Sequence, residues 1–176
     1  DNPVFEVAIT RAAVTANNSL SFRQFLILGV EHIAKGYDHL LFLFGLLIVG
    51  GSLLSASRII TSFTVAHSIT LGLATFNVIQ LPPSIVEPLI AVSIIYVGVE
   101  NLFHRNLDRR WLLTFGFGLV HGLGFASLLR ELGIGSETGS GVVVPLLAFN
   151  FGIELGQIAI TLLVLPLIWK SQRFSN

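Results

Sequence analysis

Asp38, His39, His67, His121 and Glu154 each fall near the middle of a long apolar run. An ionisable side chain in hydrocarbon costs a few kcal/mol or more, so such residues face a bundle interior and mark a functional site. Imidazole and carboxylate are the groups that hold a divalent metal ion. Spacing sharpens the point. Glu31 and Asp38 are seven residues apart, as are His32 and His39, which puts each pair on nearly one helix face. Asp38 and His39 are expected to lie deep. Glu31, His32 and Lys35 are expected nearer an outer mouth, with Lys35 pairing Glu31 at i,i+4 or snorkelling outward.

Further polar residues recur on other apolar segments. His67 is accompanied by Thr64 and Ser68, and His121 sits among Gly116, Gly118, Gly122 and Gly124. Asn150, Glu154, Gln157 and Thr161 form one seam at helical spacing. The expected inner ligands are His39, His67 and His121, with Asp38 either a ligand or the partner that orients an imidazole. Glu31 and His32 would capture the ion, and Glu154 or Glu100 would continue a path toward the cytoplasm. Ser68, Asn101, Asn150 and Gln157 would stand around the ligands or along that path. Imidazole plus carboxylate suits zinc, nickel, cobalt or iron, and the lack of thiols argues against a Cu(I) route. For Thr61, Thr75 and Thr161, bonding to backbone carbonyls or bridging of helices is the plainer reading. Tyr96 reads as a core or interface aromatic, and Glu87, Glu131 and Glu137 as exposed acids. His104 belongs to a basic loop.

These residues need long apolar elements to position them. The 176-residue chain is 53% hydrophobic and 11% charged, against about 25% charged in soluble domains. Apolar stretches of ~20 residues recur, the signature of membrane helices. The expected fold is all-α, a polytopic membrane helical bundle of about five to six spans. Five are read at about 22–50, 59–79, 84–104, 110–132 and 142–169. Arg58, Arg105, Arg109, Arg110, Lys170 and Arg173 fall on one side of such a bundle. That bias predicts the N-terminus outside and the C-terminus in the cytoplasm. Gly118/Gly122 and Gly152/Gly156 are GxxxG pairs that let helix backbones approach.

The chain divides into an extracytoplasmic arm at 1–20, a transmembrane domain at 21–170 and a cytoplasmic tail at 171–176. The arm reads as the strand-like remnant of an extracytoplasmic β-domain, as an arm that pairs with other membrane subunits, or as a loose terminus. The start at Asp1 and the lack of Met are expected of a chain trimmed of a signal peptide. Zero net charge gives no support to a nucleic-acid partner, and the absence of Cys removes disulfides and thiol nucleophiles.

The segments 29–48, 63–74, 86–101, 115–126 and 149–157 together resemble the HupE/UreJ family of bacterial membrane proteins, through HxxxGxDHLLF and AHSxTL motifs above all. The likeness is strongest to the branch with an extracytoplasmic N-terminal region. It implies a multi-pass protein of the bacterial inner membrane, a nickel or cobalt permease or accessory protein. It also implies a metal role for His32, Asp38, His39, His67, His121 and Glu154.

Three functions follow. The first is a permease or accessory protein for a divalent ion of the zinc, nickel or cobalt type, although no inverted repeat is visible. The second is an intramembrane zinc hydrolase of a lipid-like substrate, with Asp38 or Glu154 as base and Ser68 as helper. The third is a structural subunit of a larger membrane complex. The balance leans away from an enzyme.

Overall fold

Gly36 divides what the apolar pattern draws as one helix. The computed structural model describes residues 22–49, 52–103, 109–126 and 140–174. Its first helices are α1 (Phe22–Lys35) and α2 (Tyr37–Leu47), with Gly36 extended between them at φ −76°, ψ 97°. The hydrogen-bond ladder bridges the break through Gly36 N to His32 O and Leu40 N to Gly36 O, at 3.0 and 2.9 Å. End to end the pair spans ~39 Å at ~1.5 Å per residue. A continuous helix over 22–50 is therefore corrected to two pieces meeting at the polar cluster.

Local chemistry sets the other boundaries. Helix α3 (Leu53–Thr75) begins six residues before the expected start because Ser52 caps it, its hydroxyl accepting from Ser55 N at 3.2 Å. It ends before residue 79 because Asn77 takes a left-handed φ of 59°, with Val78 N returning to Leu73 O at 2.9 Å. Helix α4 (Pro83–Phe103) opens on a proline, whose fixed φ suits a first turn. Helix α5 (Arg110–Gly124) stops at Gly124, short of the expected 132, and 127–139 lie outside the described residues. Helix α6 (Ser140–Phe174) runs through Pro166 into the segment read as a tail. Among the described residues there are six helices and no strand. The strand-like arm at 1–20 and His104 lie outside them, as do Glu131 and Glu137.

Two close helix pairs organise the bundle: α3 with α5, and α1 with α6. Glycine makes both possible. A Cβ on Gly118 would stand 2.6 Å from Phe63 O, and one on Gly152 would stand 3.1 Å from the Gly29 Cα. Both GxxxG segments thus lie at backbone-to-backbone contacts. Helix α3 also packs against α6, while α4 covers α2 and α5.

The basic end is tied together by Arg110, 2% exposed. Its guanidinium donates to Leu46 O at 3.0 Å, to Glu100 Oε2 at 3.4 Å and to Asn101 Oδ1. Asn101 Nδ2 in turn donates to Gly45 O at 2.7 Å. The ends of α2 and α4 and the start of α5 therefore meet. Leu47, Ala56 and Leu165 share a cluster that brings α3 and α6 to the same end.

Polarity runs inside out. Leu102 and Leu163 are 79% and 72% exposed, while His67 is 0% exposed. In water that distribution exposes apolar surface on every side; in lipid it is the favourable one. By length and composition, Pro83–Phe103 and Val142–Lys170 are, among the described residues, the two helices able to cross a bilayer alone. Helix α3 is long enough at 23 residues but carries Arg58, His67 and a row of Ser and Thr. His67, Thr64 and Thr70 turn inward, and Arg58 lies near its first turns.

Gly118→Ala is expected to lower stability by about 1–3 kcal/mol, since its methyl must displace a backbone carbonyl. Gly116 has nothing within 4 Å of a Cβ. Gly116→Ala should be neutral or stabilising by up to about 1 kcal/mol. Thermal melts of the two purified variants in detergent check the contrast.

Candidate metal centre

His39 is the hub. Its ring centroid lies 4.5 Å from that of His32, 5.2 Å from His121 and 6.4 Å from His67. Four imidazoles from α1, α2, α3 and α5 thus converge in the bundle core. Gly36 makes room for the hub: a Cβ there would stand 2.9 Å from His39 Nδ1 and 3.2 Å from Asp38 Oδ1. The break in the first helix and the position of the imidazole are one feature.

One nitrogen of each of three rings is held by an oxygen. Asp38 Oδ1 lies 3.0 Å from His39 Nδ1. An ionised carboxylate only accepts, so Nδ1 carries the proton and Nε2 keeps its lone pair. Asn150 Oδ1 lies 3.2 Å from His67 Nδ1, and the amide's own Nδ2 donates to Leu146 O at 2.8 Å. The amide oxygen can only accept, so His67 Nε2 is likewise bare. Ser93 Oγ gives its proton to Ile90 O at 2.6 Å and lies 2.9 Å from His121 Nε2. That nitrogen must then be the donor, and Nδ1 keeps the lone pair.

The freed nitrogens, His39 Nε2, His67 Nε2 and His121 Nδ1, are buried with no hydrogen-bond partner, as is His32 Nε2. Buried polar atoms without partners are rare and call for an explanation. Three imidazole lone pairs, their outer nitrogens fixed by carboxylate, amide and hydroxyl oxygens, match how metal-binding histidines are oriented, and the unpartnered His32 Nε2 lies beside them. Among the described residues, two groups bring one ligand atom from each member within 4.8 Å of one another: His32, His39 and His67, and Asp38, His39 and His121. The donor set fits a divalent ion of borderline softness.

The structure rearranges some expectations. His32 packs on His39 instead of standing at a mouth, flanked by Phe125 and Phe149 at 4.4 and 5.4 Å. The expected trio His39, His67 and His121 is split between the two groups. Glu31 pairs with Lys35 at 3.0 Å on the exposed side of α1. Glu154 Oε1 accepts from Thr61 at 2.9 Å, and Gln157 Oε1 from Thr64 at 3.1 Å. With Asn150 on His67, the α6 seam is thus zipped to α3, and Glu154 joins neither imidazole group. Ser68 Oγ donates to Thr64 O at 2.7 Å, away from a role beside Asp38. Glu100 and Asn101 are engaged by Arg110, so a fixed cation sits where a cation path was expected. Thr75 bonds Leu71 O at 2.7 Å, as its plain reading holds, while the buried Thr161 hydroxyl has no partner.

The sequence offers Ser93 as a polar residue of its apolar segment and Gly36 as the glycine of the HxxxGxDHLLF motif, but gives neither a role in holding the imidazoles. Ser93 is 28 residues from His121, with no periodic signal to link them.

A family model described as HupE / UreJ protein matches residues 9–176. No curated protein and no solved structure matches the chain.

Asn150→Ala removes the acceptor that fixes the His67 tautomer. Affinity for a divalent ion is expected to fall about 10–100-fold with unchanged helix content, read by equilibrium dialysis and circular dichroism.

Proposed function

The chain belongs to the HupE/UreJ family of membrane proteins, and on that premise we propose that it binds and passes a divalent transition ion, nickel, cobalt or zinc, as cargo. The family's link to nickel and cobalt handling gives the first two as leading candidates. The protein would sit as a multi-pass bundle in the bacterial inner membrane. Its basic end, with Arg58, Arg109, Arg110 and Lys170, would face the cytoplasm, by the bias of Lys and Arg toward that side.

One observation carries the reading: four buried imidazole nitrogens without partners meet around His39. A lone pair left bare in a low-dielectric core is costly, and an ion held by either three-residue group would relieve the nitrogens it reaches. The two overlapping groups suit a mobile cargo better than a permanent resident. His39 belongs to both, so an ion held with His32 and His67 would reach Asp38 and His121 without leaving the hub. Toward the basic end, Arg110 bound to Glu100 opposes a cation by charge. The way out would instead follow the Thr64, Thr61 and Glu154 oxygens between α3 and α6.

Variants separate the roles of the residues. His39→Ala is expected to abolish stoichiometric binding of Ni²⁺, Co²⁺ or Zn²⁺, because it removes a ligand from both groups. His67→Ala and His121→Ala should each leave a weakened remnant. Elemental analysis after equilibrium dialysis reads the occupancy, and flux into proteoliposomes reads transport. Full occupancy in His39→Ala would refute the site, whereas binding without flux in the native protein would mark an accessory role.

A further inference from the structure

At the basic end, outside the imidazole cluster, α3 and α5 part to leave a cleft of ≈ 690 Å³. Volumes of roughly 300–1,000 Å³ are typical of ligand sites. Its lining changes character with depth. Ser55, Ser57 and Arg58 belong to the first turns of α3, and Val65 lies two turns further in. On α5, Trp111 stands in the first turn and Phe115 one turn deeper. The helices run in parallel here, since Ser62 Oγ donates to Trp111 O at 2.6 Å while the Gly118 backbone meets Phe63 and Ala66 further along. Along ~15 Å of helix rise the cleft therefore passes from a guanidinium and hydroxyls, past an indole, to bare hydrocarbon.

We propose that this cleft seats a phospholipid with an anionic headgroup, its phosphate on Arg58 and an acyl chain along Val65 and Phe115. Three observations favour that occupant over a water-borne ligand. Arg58 is exposed, lines the cleft and, among the described residues, donates to no acceptor. A guanidinium recognises phosphate by paired, charge-assisted hydrogen bonds. The cleft opens on the outer surface of the bundle, where Val65 and Trp111 are 48% and 45% exposed. That surface faces lipid tails, and indoles settle at headgroup depth. Finally, the Ser52–Ser55 hydroxyl pair, 3.1 Å apart, has one proton to donate beyond the bond between its members. Basic clefts between helices at a membrane surface hold lipid headgroups by this chemistry.

The cleft lies outside the imidazole groups. None of its lining residues belongs to either imidazole group. Thr61 is the single point of contact with the polar seam, through its bond to Glu154.

Native mass spectrometry of the purified full chain, titrated with phosphatidylglycerol or phosphatidylcholine of matched acyl chains, tests the proposal. The native protein should retain the anionic lipid about tenfold better than the zwitterionic one, the weight of one charge-assisted bond pair. Arg58→Gln should erase that preference. Arg23→Gln, at the other end of the bundle, should keep it. Equal retention of both lipids by the native protein would overturn the proposal. So would a preference that survives in Arg58→Gln, or one lost equally in Arg23→Gln.

Discussion

A buried imidazole nitrogen without a partner is costly, and the core of this bundle holds four of them on rings gathered around His39. Each such atom forgoes roughly 1–3 kcal/mol of hydrogen bonding. A fold tolerates that sum only if something else depends on it. Here the neighbouring oxygens do more than solvate the rings. Asp38, Asn150 and Ser93 each take one ring proton and thereby decide which nitrogen stays bare. The tautomers, and with them the chemistry of the centre, are set one layer out from the imidazoles.

That constraint explains the packing. Rings from four helices meet only if backbones approach more closely than ordinary side chains permit. Gly118 and Gly122 press α5 onto α3 beside His67, and Gly29 and Gly152 press α6 onto α1. The α6 seam then supplies an oxygen to each polar group of α3 it meets: Asn150 to His67, Gln157 to Thr64, Glu154 to Thr61. Polar groups satisfied in pairs can live inside a membrane protein, whereas the same groups turned outward could not. At the basic end Arg110 does comparable work, gathering carbonyls and side-chain oxygens from α2 and α4. Its charge would oppose a cation moving straight toward that end.

Gly36 shows how closely backbone and site are coupled. In an unbroken helix, residues seven apart lie near one face about 10 Å apart along the axis. The extended residue lets His39 fold back, and its ring reaches a 4.5 Å centroid distance from His32. The residue that weakens the helix is therefore the one that permits the hub, because the imidazole occupies the volume a side chain would need.

Much of this was legible in the residues themselves. Long apolar runs fixed the all-helical class, and ionisable groups stranded within them named His39, His67, His121 and Asp38 as a cluster, because hydrocarbon admits such groups only in company. The GxxxG pairs marked the close contacts, and the 4-3-4 spacing of Asn150, Glu154, Gln157 and Thr161 marked one seam. What periodicity could not supply was partnership across the chain. Nothing local distinguishes Ser93 as the partner of His121 or joins Arg110 to Glu100 and Leu46. Nor could it set His32 against Phe125 and Phe149, since those rings come from distant parts of the chain. Sequence determined which chemistry the core must contain; only the tertiary structure decided which lone pairs remain free, because that depends on oxygens brought in from other helices.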